Sequence, residues 1–253
     1  RQMCIRDSAS GLLVIAVGAK ALKVIEFFGE LPKQYEAHVR LGAVSTTYDA
    51  EGQVEKVEPK QGWSIPEQGT IQRLIEDRFT GTINQVPPIH SAVHVNGQRA
   101  YELARRNAVV QLAARSVDVH ECTILSYQYP ELRLRVGCGS GTYIRSLAHD
   151  LGQLLHCGGY LENLRRTKVG EWSVDDAAKP TEAAWARVLP LKDVLASFPR
   201  IELNPEEAED IRHGRIIHRE IAPDTFGWYE DLPIAVLEPV KPGAKTAKPR
   251  KVF

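Results

Sequence analysis

The chain has 253 residues, with 32 basic and 32 acidic side chains, and 43% of its residues are hydrophobic. This composition excludes a disordered chain and predicts one large folded domain, or one domain with a small appendage. Because the formal net charge is zero, any binding of a polyanion must depend on local clusters of basic residues. The four cysteines are irregularly spaced without a CxxC pair, which argues against a zinc module or a disulfide framework and favours a reducing cytosol.

The sequence periodicities predict strands and helices in mixed order. Residues 34–42 and 132–136 alternate apolar and polar side chains, as a strand with one buried face does. Residues 71–79 and 143–155 carry apolar side chains at helical spacing. Since tight turns also separate some strands, we expect a mixed α+β sheet and not a strict βαβ repeat. The apolar run at 11–19 follows two arginines and leaves a secretory signal as the alternative, although Asp7 fits such a signal poorly.

A change of composition at residues 177–190 marks the predicted domain boundary. We therefore divide the chain into residues 1–178 and a linker with a small C-terminal unit, residues 179–253. In that unit Asn204 is placed to cap a helix that begins at Pro205 and closes near Gly214. The tail 239–253 carries basic residues and no acid, which is typical of a solvated tail, with a phosphate contact as the alternative.

The glycine-rich turn at 137–141 joins a predicted strand to a predicted helix, a position that suits a phosphate. It lacks the Walker lysine, and its glycines match neither common nucleotide-binding pattern. The following Tyr143 and Arg145 place a phenol and a guanidinium at this turn, where an arginine can orient a carboxylate. An ordinary surface arginine is the alternative.

Two further segments suggest binding chemistry. His90 and His94 have the spacing of helical metal ligands, but the residues around them predict a strand and a turn, which separates the imidazoles by about 13 Å. We therefore expect no metal site there. Residues 98–115 contain four arginines, one acid and Tyr101, a mixture suited to a phosphate backbone and an unstacked base. A solvated amphipathic helix is the alternative.

Taken together, six strings resemble the bacterial tRNA pseudouridine-55 synthase family. They occur in the family's order over about two-thirds of the chain, as ASGLLVIAVG (9–18), KQYEAHVRLG (33–42), DAEG (49–52), QVPPIHSAVHVNGQRAYELARR (85–106), SGTYIRSLAHDLG (140–152) and YLENLRRTKVGEWSV (160–174). The stretch from about Arg200 is similar to a small RNA-binding appendage of some members. The resemblance implies an α+β pseudouridine-synthase fold, with a mixed, mainly antiparallel sheet, flanking helices and a small C-terminal RNA-binding unit.

The resemblance also implies the reaction and its partners. A uridine in the T-loop of tRNA is flipped into a pocket, its N1–C1′ bond is broken, and the base rejoins through C5. An aspartate nucleophile performs this step without a metal or a cofactor. The expected partner is tRNA, with no DNA and no membrane, and the protein is expected to act as a cytoplasmic monomer.

The family's site residues map onto individual positions of this chain. Tyr35 matches the tyrosine that stacks on the target base, Arg145 matches the arginine that pairs with the nucleophile, Tyr143 lines the pocket, and Leu164 packs beneath the base. Residues 85–107 match the T-loop clamp. The side chains that the resemblance implies in RNA binding are His90, Arg99, Tyr101, Arg105, Arg106, Arg165 and Arg166.

The chain departs from the family at the nucleophile. Aligning Ala9-Ser10-Gly11 with the family's catalytic loop puts Arg6 at the position of the aspartate, so that Asp7 is displaced by one residue. A bulge could return Asp7 to the pocket. Residues 1–8 match nothing in the family, and we expect a truncated gene joined to foreign sequence. The alternatives are a catalytically dead T-loop RNA-binding protein and a phosphate-ligand enzyme that uses the turn at 137–141.

Overall fold

The computed structural model describes residues 9–95, 97–106, 111–179 and 182–253. Two compact units are distinguished within this part of the chain. The first contains the described residues up to Val14 together with Phe27–Ala177, and the second contains Ile15–Glu26 together with the described residues from Ala178 to Phe253. The early segment Ile15–Glu26, which the sequence-based division leaves in the catalytic domain, is thus grouped with the second unit.

The strands of the described chain range in length from 2 residues (β6) to 14 residues (β8). In order they are β1 (Ala9–Gly11), β2 (Lys33–Leu41), β3 (Ala43–Ser45), β4 (Val54–Lys56), β5 (Gly81–Gln85), β6 (His94–Val95), β7 (Gln98–Arg99), β8 (Arg115–Gln128), β9 (Glu131–Cys138), β10 (Gly159–Val169), β11 (Trp172–Ser173), β12 (Arg200–Glu202), β13 (Thr225–Tyr229), β14 (Leu232–Pro239) and β15 (Ala247–Val252).

The helices of the described chain are at most three turns long. They are α1 (Ala19–Val24), α2 (Phe27–Glu30), α3 (Gln68–Arg78), α4 (Ala100–Arg105), α5 (Ile144–Leu154), α6 (Leu191–Val194) and α7 (Pro205–Arg212), with two 3₁₀ turns at Val174–Asp176 and Glu182–Arg187. The predicted helices at 71–79 and 143–155 are confirmed as α3 and α5, and the first residue of each helix is within three residues of the predicted one.

The first unit is built on a seven-stranded sheet. Six strands follow the order β1-β10-β2-β9-β8-β5, and β11 pairs with β10. β1 runs parallel to β10, while the other pairs are antiparallel. The expected α+β fold with a mixed, mainly antiparallel sheet is therefore confirmed.

One face of this sheet forms the core of the first unit. In β2 the predicted alternation is present, because Ala37, Val39 and Leu41 are buried while Glu36 is exposed. The core continues into the apolar residues of β9 and into the apolar face of α5. Burial of these side chains on one face is the main reason that α5 lies against the sheet.

Two glycines allow α5 to approach β10 very closely. A Cβ on Gly152 would lie 2.1 Å from the backbone nitrogen of Gly159, and a Cβ on Gly159 would lie 2.7 Å from the carbonyl oxygen of Ala148. Neither position has room for a side chain. This close packing brings the helix that carries Arg145 onto β10.

The second unit has its own sheet and core. Its strands follow the order β12-β13-β14-β15, with β12 parallel to β13. The predicted helix start is confirmed, because the Asn204 side chain accepts a hydrogen bond from the Glu207 N–H (2.8 Å) and the Glu207 carboxylate accepts one from the Asn204 N–H (3.0 Å). Pro205 occupies the first position of α7.

The contact between Gly152 and Gly159 predicts a large cost for any side chain there. Gly152→Ala should lower the free energy of unfolding by about 1–3 kcal/mol, because backbone would have to move away from the added methyl group. The matched control is Gly69→Ala in α3, where nothing lies within 4 Å of the added Cβ. That change should stabilise the protein by up to about 1 kcal/mol, as alanine favours a helix. Urea denaturation measures both, and equal effects would contradict the close approach.

Asp150 in α5 gives a prediction for pH. Burial raises the pKa of its carboxyl from 3.8 to about 6. Between these values the folded state binds more protons than the unfolded state, so the contribution of Asp150 to stability is present at low pH and is lost as the pH rises through 6. Asp150→Asn, which resembles the protonated acid, should therefore lose less stability between pH 4 and pH 7 than the parent. The control is Asp77→Asn at an exposed position of α3, which should show the same change of unfolding free energy with pH as the parent. If the unfolding free energies of the parent and of Asp150→Asn changed equally with pH, the raised pKa of Asp150 would be contradicted.

Candidate active site

Strand β10 gathers several separate parts of the chain within residues 161–166. Asp49 forms a parallel bridge with Leu161, Ala9 of β1 is paired with Leu164, and Tyr35 of β2 is paired with Arg166. Tyr35 and Leu164 are partly buried and pack against the same core. The predicted site residues Tyr35 and Leu164 are thus brought together on one edge of the core.

Arg145 lies in the first turn of α5, and a buried glutamine fixes the turn before the helix. The Gln85 side chain, 3% exposed, accepts a hydrogen bond from the Tyr143 N–H (2.8 Å) and donates one to the Tyr143 carbonyl (3.0 Å). Gly139 donates its N–H to the Asp118 carbonyl at 2.8 Å. Two N–H groups that a phosphate would use are therefore already engaged, which disfavours the phosphate-ligand alternative for this turn.

The guanidinium of Arg145 binds three acceptors on two distant segments. It donates to the Asp49 carboxylate at 3.1 Å, to the Thr47 carbonyl at 3.1 Å and to the His90 carbonyl at 3.0 Å. The side chain of Asp49 is 2% exposed and that of Arg145 is 14% exposed. The second carboxylate oxygen of Asp49 accepts from the Glu51 N–H at 3.2 Å. This is a buried, hydrogen-bonded ion pair with a fixed geometry.

Asp49 is the site residue that the sequence analysis missed. Its string, DAEG, is part of the resemblance, but an acid followed by a small residue and a glycine also fits an exposed turn. Only the structure places this carboxylate against Arg145. In the described chain Arg145 is paired with Asp49. Its expected pairing with the nucleophile stays a prediction, because Arg6 and Asp7 lie outside the described residues.

Arg166 connects Tyr35 to the segment that follows the expected nucleophile position. Its side chain is buried and donates to the Leu12 carbonyl at 2.7 Å and also hydrogen-bonds to Tyr35. The Leu12 N–H in turn donates to the Arg166 carbonyl at 2.8 Å. At Gly11 a Cβ would lie 2.2 Å from the Arg166 carbonyl oxygen, so only glycine fits between β1 and β10.

Burial raises the pKa of the Tyr35 phenol, and the Arg166 guanidinium opposes this only in part. The phenol therefore stays protonated over a wider pH range than an exposed tyrosine. A neutral ring of this kind suits stacking against a base better than proton removal as a phenolate.

The predicted RNA-binding residues lie in different environments. Arg99 is half-buried, with its guanidinium 6.0 Å from the centre of the Tyr101 ring, and Arg106 is exposed. His90 contributes its backbone carbonyl to Arg145. Arg165 is exposed, unlike its neighbour Arg166. The side chain of Arg105 lies outside what the structure describes.

One group in the described chain has metal-binding residue types. Donor atoms of His38, Glu131 and Glu162 lie within 4.8 Å of one another. The two ring nitrogens of His38 face different carboxylates, and the Arg40 guanidinium contacts both acids. A cation is therefore already paired with these carboxylates, and the arrangement is an ion-pair network on the polar face of the sheet.

Nowhere in the described ranges is a helix long and apolar enough to cross a bilayer.

Comparisons with known proteins agree with this fold. The solved "Crystal Structure of a Cbf5-Nop10-Gar1 Complex" contains a similar chain, with a TM-score of 0.64 and 20% identity over 92% of this chain and 70% of that one. "Structure of H/ACA RNP bound to a substrate RNA containing 2'-deoxyuridine" gives 0.63 and 18% identity, with 92% and 69% coverage. At such low identity these matches establish the fold alone.

Sequence relatives are considerably more similar. The tRNA pseudouridine synthase B of Thermobifida fusca (strain YX) is 43% identical over 219 residues, which cover 83% of this chain and 73% of that protein. The protein of the same name from Streptococcus sanguinis (strain SK36) is 36% identical over 256 residues, with 96% and 85% coverage. The family model for the TruB family pseudouridylate synthase N-terminal domain matches residues 7–144, and that for the tRNA pseudouridylate synthase B C-terminal domain matches residues 145–185. The chain belongs to the TruB family of pseudouridylate synthases.

Proposed function

We propose that this protein is built as a tRNA pseudouridine synthase that isomerises uridine 55 in the T-loop of tRNA, and that turnover depends on an aspartate at the nucleophile position. The observation that carries the proposal is the set of contacts that residues 161–166 of β10 make. These residues bring together the Asp49–Arg145 pair, Tyr35, Leu164 and Ala9, the first described residue after the nucleophile position. Relatives named tRNA pseudouridine synthase B, which this chain matches over most of their length, support the same reaction. We further propose that the protein acts as a cytoplasmic monomer.

The proposed reaction exchanges one glycosidic bond for another within a single nucleotide. The N1–C1′ bond breaks, the base turns, C5 bonds to C1′, and the proton lost from C5 is balanced by a proton gained at N1, so the product has the same atoms as the substrate. No metal or redox cofactor is needed for this balance, since a carboxylate acts as the nucleophile. The uridine must leave its stack to reach the site, and the neutral ring of Tyr35 and the side chain of Leu164 offer it apolar surfaces.

Arg145 would orient the nucleophile. Its guanidinium is held by Asp49, Thr47 and His90 before any substrate arrives. A donor fixed in advance does not have to reorganise during the reaction, which is the main advantage of a preorganised site. Because His90 lies in the expected T-loop clamp, the same contact would couple RNA binding to the position of Arg145.

The clamp itself would bind the RNA backbone and an unstacked base. Arg99 and Tyr101 stand next to each other at the end of β7 and the start of α4, and Arg106 lies just beyond. A guanidinium beside a phenol ring can contact a phosphate while the ring stacks on a base. Arg165 is exposed on β10 and could extend this surface, whereas buried Arg166 is better placed to hold Tyr35.

A second candidate function is T-loop RNA binding without chemistry. The observation that favours it is Arg6 at the position of the family's aspartate, with Asp7 displaced by one residue. Neighbouring side chains of an extended segment point to opposite faces, so a one-residue displacement removes a carboxylate from its target. The two candidates differ in turnover and not in RNA affinity.

We expect the chain as it stands to bind tRNA but to form little or no pseudouridine, because a misplacement of about 1 Å can already cost on the order of a hundredfold in rate. Replacing residues 1–8 by a family-like segment with aspartate at position 6, which gives the variant called the repaired protein below, should allow turnover. The same segment with asparagine at position 6 is the matched control. Pseudouridine in a T-loop transcript, detected by chemical derivatisation, is the readout.

In the repaired protein, Tyr35→Ala or Arg145→Ala should abolish turnover while circular dichroism still shows a folded protein, although Arg145→Ala lowers the stability because the Asp49 carboxylate loses its guanidinium partner. Robust turnover by the unrepaired chain that survives Asp7→Asn would show that the nucleophile lies elsewhere. A repaired chain that binds the transcript with unchanged affinity but remains inactive would favour the binding protein.

The clamp gives a prediction about salt. Removing one arginine–phosphate interaction should reduce the slope of log affinity against log salt by about 0.7–0.9. Replacing Arg99, Arg105 and Arg106 by glutamine should therefore weaken tRNA binding and flatten this slope by about 2–3. The same charge change at the exposed residues Lys56, Lys60 and Arg78 is the control. Equal salt slopes for the two triple variants would show that the arginines of the clamp do not bind RNA phosphates.

A further inference from the structure

Helix α5 presents two side chains, one turn apart, to the same loop. Arg145 and His149 are four residues apart and therefore lie on one helix face. Arg145 binds Thr47 and Asp49 of the loop between β3 and β4. The ring of His149 stacks on the ring of Tyr48, with centroids 3.9 Å apart and planes 11° from parallel. Three successive loop residues are thus bound by two positions of the helix.

Tyr48 adopts a backbone conformation that few large residues accept. Its φ is 63°, in the left-handed region, which is uncommon for a bulky side chain and is usually taken by glycine or asparagine. This conformation directs the Tyr48 ring to His149, while the next residue turns its carboxylate to Arg145. Such strain persists only where surrounding contacts maintain it.

The backbone–backbone hydrogen bonds that connect the loop to a neighbouring element are made to β10. The Leu161 N–H donates to the Tyr48 carbonyl at 3.0 Å, and the Ala50 N–H donates to the Leu161 carbonyl at 3.1 Å. These bonds fix the place of Asp49 along β10. The direct contacts between the loop and α5 are made by side chains of the helix, namely by Arg145, which binds Asp49 and the Thr47 carbonyl, and by His149, which stacks on Tyr48.

The chemistry of His149 fits a packing role. Its Nδ1 is buried and has no hydrogen-bond partner among the described residues. Burial also lowers the pKa of the imidazole, so that the ring stays neutral and adds no second cation one turn from Arg145. Asp150 lies near the Tyr48 hydroxyl and raises the pKa of that phenol, in addition to the larger effect of burial. What His149 offers the loop is therefore the flat face of its ring.

We infer that Tyr48 and His149 are positioning residues: their ring stack holds the loop against α5 and thereby fixes the guanidinium of Arg145 for the reaction. The catalytic part of this inference rests on the proposed function. The mechanical part, that the stack restrains Arg145, does not, and it can be measured without turnover.

The test of the mechanical part uses the chain as it stands. The guanidinium N–H resonances of Arg145, identified by their loss in Arg145→Lys, report how tightly the group is held. His149→Ala and Tyr48→Gly should accelerate their exchange with water by about tenfold or more, because the loop then separates from the helix. His149→Phe and Tyr48→Phe, which keep the stack, should retain slow exchange, and His120→Ala at an exposed position of β8 is the matched histidine control. Unchanged Arg145 exchange in both His149→Ala and Tyr48→Gly would overturn the inference.

The catalytic part is tested in the repaired protein. His149→Ala should lower kcat by about tenfold with little change in KM, and His149→Phe should recover most of the loss. An equal loss in His149→Ala and His149→Phe would overturn the role of the stack. If the repaired parent forms no pseudouridine while Arg145 exchange responds as expected, the proposed function fails and the restraint on Arg145 stands.

Discussion

The buried ion pair between Asp49 and Arg145 is the contact on which the arrangement of the candidate site depends. Removing one partner of such a pair leaves an uncompensated charge in the interior, which typically costs about 3–5 kcal/mol. Because Arg145 also binds the carbonyls of Thr47 and His90, this one guanidinium joins α5, the loop after β3 and the expected RNA clamp. Two apolar side chains of equal volume in place of the ion pair could stabilise the fold equally well. The presence of the pair is therefore better explained by the geometry that it imposes on the site.

Strand β10 supplies the other constraint, because two backbone segments approach it too closely for a side chain. Gly152 of α5 meets Gly159 at one end, and Gly11 of β1 meets Arg166 further along. The first contact fixes the helix that carries Arg145, and the second fixes the chain just after the nucleophile position. Since both contacts are made to the same strand, β10 positions both of the groups that are proposed to cooperate in the reaction.

Much of the fold could be predicted from local sequence, whereas the most informative contacts could not. The alternation in β2, the apolar face of α5 and the cap of α7 are short-range patterns, and the structure confirms them. The Asp49–Arg145 pair joins residues 96 positions apart, and no local pattern distinguishes its acid from one in an exposed turn. Similarly, Arg165 and Arg166 are adjacent in sequence, and irregularities of pairing in β10 on both sides of them decide which one is buried. The grouping of Ile15–Glu26 with the second unit is also a long-range property.

Asp49 also changes what Arg145 can offer to a nucleophile. A guanidinium that is already paired with one buried carboxylate has much of its charge compensated, so a second carboxylate would gain less from net charge than from directed hydrogen bonds. The fixed plane of the guanidinium is then its main contribution, and that plane is set by Asp49, by two carbonyls and by the loop that the stack of Tyr48 on His149 restrains. Lysine, a compact charge with rotating donors, would keep the charge and lose the plane. We therefore expect arginine at this position to act through its geometry more than through its charge.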